Sequence, residues 1–107
     1  MTTYRVPFED LPWQTSPTGV LFKAHTFGGS RLRILEITPA LVHPQWCVAG
    51  HAGYVLEGDV EIEFDGRVER YRAGDGVVIP AGEADRHRPR ALSERVRLVF
   101  VEDATSA

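Results

Sequence analysis

Several residue types and patterns are scarce in this chain, and each scarcity excludes something. Cys47 is the single cysteine among 107 residues, so no internal disulfide forms. That usage is compatible with a reducing compartment. No stretch approaches the roughly 20 apolar residues of a membrane span, and Met1 to Asp10 lacks the apolar run of a signal peptide. The expectation is a cytoplasmic protein with no membrane partner. Basic residues are not concentrated in one block, and the net charge is −3 with both signs spread along the chain. A nucleic-acid binder carries a clustered basic footprint, so no nucleic-acid partner is expected. The local exception is Arg86, Arg88 and Arg90, which would either steer an anion or line a solvated loop, the second being the simpler reading. No repeat or low-complexity segment stands out, and no window of the sequence carries a helical period.

What is present is a soluble-protein balance, 43% apolar and 25% charged residues, in a length that suits one domain able to bury a core without covalent help. Residues 1–19 carry Pro7, Pro12, Pro17 and Gly19 and read as an irregular lead-in. After them come short strands parted by turn residues. Val20 to Phe27 is β-prone and ends at Gly28-Gly29, and Arg31 to Thr38 alternates until Pro39 stops it. Leu41 to Val48 is mixed and broken by Pro44. Gly53 to Glu57 is a short strand. Val60, Ile62 and Phe64 then alternate with Glu61, Glu63 and Asp65, a period of two with the apolar side inward. Asp65-Gly66 signals a hairpin, with Arg67 to Arg72 as the returning strand. Val77 to Ile79 is a buried strand ended by Pro80, Ala81 to Glu94 an exposed loop or a short strand with long flanks, and Val96 to Val101 a last alternating strand. From Glu102 onward the chain reads as a frayed tail. The expected organisation is a β-barrel over 20–102 with a tail at 103–107. Many short strands with Gly, Pro and Asp between them imply an all-β sandwich or barrel.

Four side chains suited to metal binding or catalysis fall close together: His43, Gln45, Cys47 and His51. If the segment around Gln45 is extended, residues 43, 45 and 47 share a face. Val48-Ala49-Gly50 would then turn the chain so that His51 opens a strand beside Cys47. A thiolate and an imidazole suit zinc, ferrous iron, copper or nickel. Each has a plainer reading as well: Cys47 as an inert buried residue, His51 as a turn cap, His87 as a solvated loop residue, and Gln45 as a hydrogen-bonding amide. His25 and His43 are expected to be structural or exposed. Trp46, Tyr54 and Leu56 alternate away from the inward residues and would form an outer face suited to a homodimer interface.

Two motifs in Pro39 to Glu102 resemble those of the cupin superfamily. The end of the first is Gly53-Tyr54-Val55-Leu56-Glu57-Gly58, followed by Asp59-Val60-Glu61-Ile62. The second runs from Gly74-Asp75 through Ile79-Pro80-Ala81-Gly82, with the family's spacing from Gly74 to Pro80 and Gly82. The resemblance implies a double-stranded β-helix, that is, a jelly-roll barrel of the RmlC-like kind, with a divalent metal ion inside (Zn, Fe, Ni, Cu or Mn). It also implies a small-molecule substrate or ligand. The ligand positions depart from the family pattern. His51 stands where the family has glutamate, Cys47 and Gln45 where it has the paired histidines, and Asp85 where it has the last histidine, with His87 two residues on. The implied metal set is therefore Gln45, Cys47, His51 and His87, with Asp85 as a competitor for the fourth place. Cupins include dioxygenases, isomerases, decarboxylases and lyases, so the resemblance selects no reaction. A non-catalytic metal- or ligand-sensing barrel and a metal-free enzyme with Cys47 as nucleophile remain the alternatives.

Overall fold

The computed structural model describes residues 4–42 and 44–104. It is all-β, in two antiparallel sheets, as the strand pattern implies. The elements are β1 (Gln14–Thr15), β2 (Leu21–Phe27), β3 (Ser30–Ile37), β4 (His51–Glu57), β5 (Asp59–Phe64), β6 (Arg67–Arg72), β7 (Gly76–Ile79), β8 (His87–Ala91) and β9 (Val96–Asp103). The larger sheet has the order β1-β2-β3-β9-β4-β7, and the smaller has the order β6-β5-β8. Two single 3-10 turns, Phe8–Asp10 and Glu83–Asp85, are the only helical pieces among the described residues. No helix there is long and apolar enough to cross a membrane.

Period-two patterning places the core. In β9, Val96, Leu98 and Phe100 are buried while Arg97, Val99 and Val101 are not. Val60 and Ile62 of β5 and Val77 and Ile79 of β7 are also buried, and with Leu35, Ile37, Val55 and Ala91 they fill the space between the sheets. Burying one such side chain contributes about 1.5–3 kcal/mol. Two glycines permit the close geometry. Gly66 turns the β5–β6 hairpin at a φ of 84°, in the left-handed region that side chains avoid. At Gly53 a Cβ would lie 1.8 Å from the Val99 carbonyl oxygen and 2.7 Å from the Phe100 ring, so only glycine lets β4 lie against β9 there.

The strands depart from the sequence reading at two places. Leu41 to Val48 forms no strand; among its described residues only Cys47 pairs, in an isolated bridge to His87. Proline in this stretch removes a backbone donor and fixes φ, which disfavours a continuous ladder. After Pro80, the short strand is the alternative that holds: β8 has His87 and Ala91 buried at its two ends. Finally, β9 continues through Glu102 to Asp103, where the frayed tail was expected, because β3 pairs with it along its whole length, Ser30 opposite Asp103 and Ile37 opposite Val96. The rest of that tail, 105–107, lies outside the described residues.

Inward-facing residues change character along the barrel. On β3 they run Ile37, Leu35, Arg33, Arg31, opposite Val96, Leu98, Phe100 and Glu102 of β9. On β4 they run Val55, Gly53, His51, with Val55 opposite Leu98 and Gly53 opposite Phe100. On β8 they run Ala91, Pro89, His87, opposite Val60, Ile62 and Phe64 of β5. One end of the barrel is therefore apolar and the other polar.

Candidate metal centre

Three side chains converge at the polar end. His51 is the first residue of β4, where it pairs with Ile79, and His87 is the first of β8. Cys47 lies on the irregular segment between the sheets. It is held there by reciprocal backbone bonds with His87, 2.8 Å from Cys47 N to His87 O and 2.9 Å in return. One donor atom from each of the three, the thiol sulfur and a nitrogen of each imidazole, lies within 4.8 Å of the others. The Cys47 Sγ to His51 Nε2 distance is 3.7 Å. The imidazole rings sit edge to face, 5.0 Å apart, and His51 stacks on Phe100 at 4.6 Å.

Burial is deep. His51 is 7% exposed and His87 4%. His87 Nδ1 lies 2.9 Å from the backbone carbonyl of Asp85, to which it donates. That places its lone pair on Nε2, which is buried and has no hydrogen-bond partner. A buried polar atom left unsatisfied costs about 1–3 kcal/mol. His51 Nδ1 lies 2.7 Å from Glu102 Oε2. The Glu102 side chain is 0% exposed and also meets Arg31 Nη2 at 2.8 Å and Arg33 Nε at 2.6 Å, both on Oε1.

The electrostatics follow from these contacts. The hydrogen bond with His51 is the largest cause bringing the Cys47 thiol down to about 5, against the opposing effect of burial. Burial disfavours protonation of His51, but the bonds to Cys47 and Glu102 outweigh it and raise its pKa above the ordinary imidazole value. Burial likewise pushes the Glu102 carboxyl up, but the His51 bond and the charges of Arg33 and Arg31 hold it down at about 2.

The other expected residues are placed as follows. Gln45 is exposed. In the absence of a strand at Leu41 to Val48, the alternation that would align it with Cys47 has no ladder to enforce it. Asp85 contributes its backbone carbonyl to His87, while its carboxylate is not among the converging donors of the described residues. His43 lies outside the described residues, and His25 is exposed on β2. Trp46 has the Arg86 and Arg88 guanidinium carbons 4.6 and 4.2 Å from its ring centre. Arg86, Arg88 and Arg90 pair with Asp65, Glu63 and Glu61 at 3.3, 2.8 and 3.2 Å. That is a ladder on the outside of the smaller sheet, with its positive charge already matched by carboxylates. Glu102 was read only as the start of a frayed tail, not as a site residue. The one signal that could have found it is its place in the inward series Val96, Leu98, Phe100, Glu102.

Comparison with known proteins agrees with this architecture. The cupin-domain family profile matches residues 36–102. No curated protein sequence matches the chain. Among solved structures, the polyketide cyclase RemF from Streptomyces resistomycificus superposes with a TM-score of 0.78 at 19% identity, over 98% of this chain and 82% of that one. KdgF from Halomonas sp. gives 0.74 at 21% identity, over 96% and 94%. An RmlC-like cupin from Shewanella frigidimarina gives 0.72 at 13% identity, over 95% and 91%. At these identities the likeness is one of fold.

Proposed function

Starting from a chain that belongs to the cupin domain family, we propose that it binds one divalent metal ion through Cys47, His51 and His87 and uses it in an enzymatic reaction on a small molecule. The carrying observation is the buried, unpartnered Nε2 of His87, aimed at the same space as Cys47 Sγ and His51 Nε2. One proton at most is shared between Cys47 Sγ and His51 Nε2, and none is left for His87 Nε2. A metal ion satisfies all three. Thiolate and imidazole suit zinc, iron, nickel or copper better than they suit manganese, which prefers oxygen ligands. Three protein ligands leave a position for water or substrate, as catalytic sites require. Gln45 would have to turn inward from its exposed position to join them. Held there, the ion supplies Lewis acidity toward a carbonyl or carboxylate. The protein's own residues orient the donors and exclude water from their far side. RemF, a polyketide cyclase on a similar barrel, is consistent with catalysis in a domain of this size.

Elemental analysis of protein purified without a histidine tag tests the reading. About one metal ion per chain is expected in the wild type and none in Cys47→Ser or His87→Ala. A cobalt-substituted protein is expected to show a thiolate-to-metal absorption band that Cys47→Ser abolishes. Metal-free wild type, or variants with full metal content, would overturn the assignment. A panel of small carbonyl and catechol-like compounds then separates an enzyme from a metal-binding module.

The thiol–imidazole contact at 3.7 Å favours a second reading, in which Cys47 is a nucleophile without metal. That reading leaves the His87 nitrogen unsatisfied. It predicts alkylation of Cys47 by iodoacetamide at a rate unchanged by chelators, whereas the metal reading predicts protection that chelators remove. We also propose a homodimer through the outer face of the larger sheet, where Tyr54, Leu56, Val78 and Val101 are all at least 46% exposed. Sedimentation should show a dimer in the wild type that Val78→Glu dissociates.

A further inference from the structure

We propose that Glu102 is a positioning residue for the metal centre: its carboxylate fixes the tautomer of His51 so that the Nε2 lone pair faces Cys47. The inference deepens the metal reading above and rests on it for its purpose, although its geometry stands without a metal. A neutral imidazole carries its hydrogen on either nitrogen, and only the bare nitrogen binds a metal. Which one is bare is set by the partner of the other. His51 Nδ1 lies 2.7 Å from Glu102 Oε2. An ionised carboxylate only accepts, so the hydrogen must sit on Nδ1. The opposite tautomer would bring two lone pairs together in a buried space.

The carboxylate has little freedom to do otherwise. Arg31 donates to Oε1 from Nε at 3.0 Å and from Nη2 at 2.8 Å. Arg33 donates to Oε2 from Nη2 at 3.1 Å, and its Nε is 2.6 Å from Oε1. Two guanidinium groups therefore clamp the carboxylate in one orientation, and both of its oxygens are engaged. This excludes Glu102 as a fourth ligand, since it approaches His51 from the nitrogen opposite the converging donors. His87 is set by a different device, the neutral backbone carbonyl of Asp85. The charged partner raises the basicity of His51, an effect that carboxylate partners have on metal-binding histidines. The rival account is that Glu102 only ties β3 to β9 through the arginines. In that case His51 would be a bystander.

Nitrogen-15 NMR of the imidazoles in the metal-free protein, above the pH at which they titrate, separates the two accounts. In the wild type His51 is expected as the Nδ1–H tautomer. Glu102→Gln allows an amide N–H to face His51, and a measurable share of Nε2–H tautomer is expected there, with His87 unchanged as an internal reference. Cobalt affinity should fall about 10–100-fold in that variant. Arg97→Gln is the structural control. It breaks the pair with Glu36 that also ties β9 to β3, at 2.9 Å, and removes no donor from Glu102, so stability should fall while the tautomer and the cobalt affinity hold. A wild-type His51 carrying hydrogen on Nε2, or a Glu102→Gln protein with wild-type tautomer and affinity, would overturn the proposal. Should the wild type bind no cobalt, the metal reading fails by itself, and the tautomer of His51 still decides the role of Glu102. If Glu102→Gln does not fold, the wild-type spectrum still decides, because an Nε2–H tautomer there sinks the inference.

Discussion

The two ends of this barrel are built from the same strands and do opposite things. At one end β3, β4, β8 and β9 present Ile37, Val55, Ala91 and Val96, every one of them buried. At the other end they present Arg31, His51, His87 and Glu102. The apolar end needs only volume and the right face, so it is stable with any partner of suitable shape. The polar end holds charges and imidazoles whose burial is costly unless each finds a specific partner. The contrast shows where a small barrel has room for chemistry: packing at one end supports a buried polar arrangement at the other. The two ends should then be separable by mutation.

The largest expected effect is at the apolar end. Leu98→Ala should cost about 2–5 kcal/mol in urea unfolding, while cobalt affinity measured on the folded protein stays at the wild-type value. A loss of both together would show that the ends are coupled. Metal binding comes next. Zinc or cobalt at a hundred times its dissociation constant should stabilise the wild type by about 2.7 kcal/mol. The same increment is expected in Leu98→Ala, because distant sites add. Cys47→Ser should lose it.

A smaller effect concerns Tyr71, packed against the core from β6. Burial, and then its 2.5 Å bond to Glu69, raise its hydroxyl to about 12. The folded state thus favours the neutral phenol. That contribution is whole below the ordinary tyrosine value near 10 and is lost as pH rises toward 12. Wild type should therefore lose stability in this alkaline window more steeply than Tyr71→Phe, without change in the Cys47 absorption band of the cobalt protein. The smallest effect is on the outside. Arg90→Ala breaks a pair with Glu61 on an exposed face, and neither melting temperature nor metal affinity should move measurably.

The legibility of the two ends in the sequence differs for the same reason that their chemistry does. Val60, Ile62 and Phe64 announce their inward face by local alternation alone, and the hairpin after them is announced by Asp65-Gly66. His51 and Cys47, four residues apart, were visible as neighbours. His87 was reachable only through the spacing of the second motif. Gln45 illustrates the opposite case. Its expected direction depended on an extended backbone that the segment from Leu41 to Val48 does not adopt, and the residue is exposed. Glu102 shows the limit most clearly, because its partners Arg31 and His51 are 71 and 51 positions away.

By itself, then, the sequence determined an all-β fold and the inward face of most of its strands, because side-chain direction along a strand is a local property with a period of two. Cross-strand register was decided by the tertiary structure alone. Register brought Arg31 opposite Glu102, set Glu102 against His51, and closed Cys47 onto His87. A carboxylate late in the last strand and a carboxylate that faces a buried imidazole are the same residue in sequence. They differ only in which strand lies beside them, and that is settled by the packing of the whole barrel.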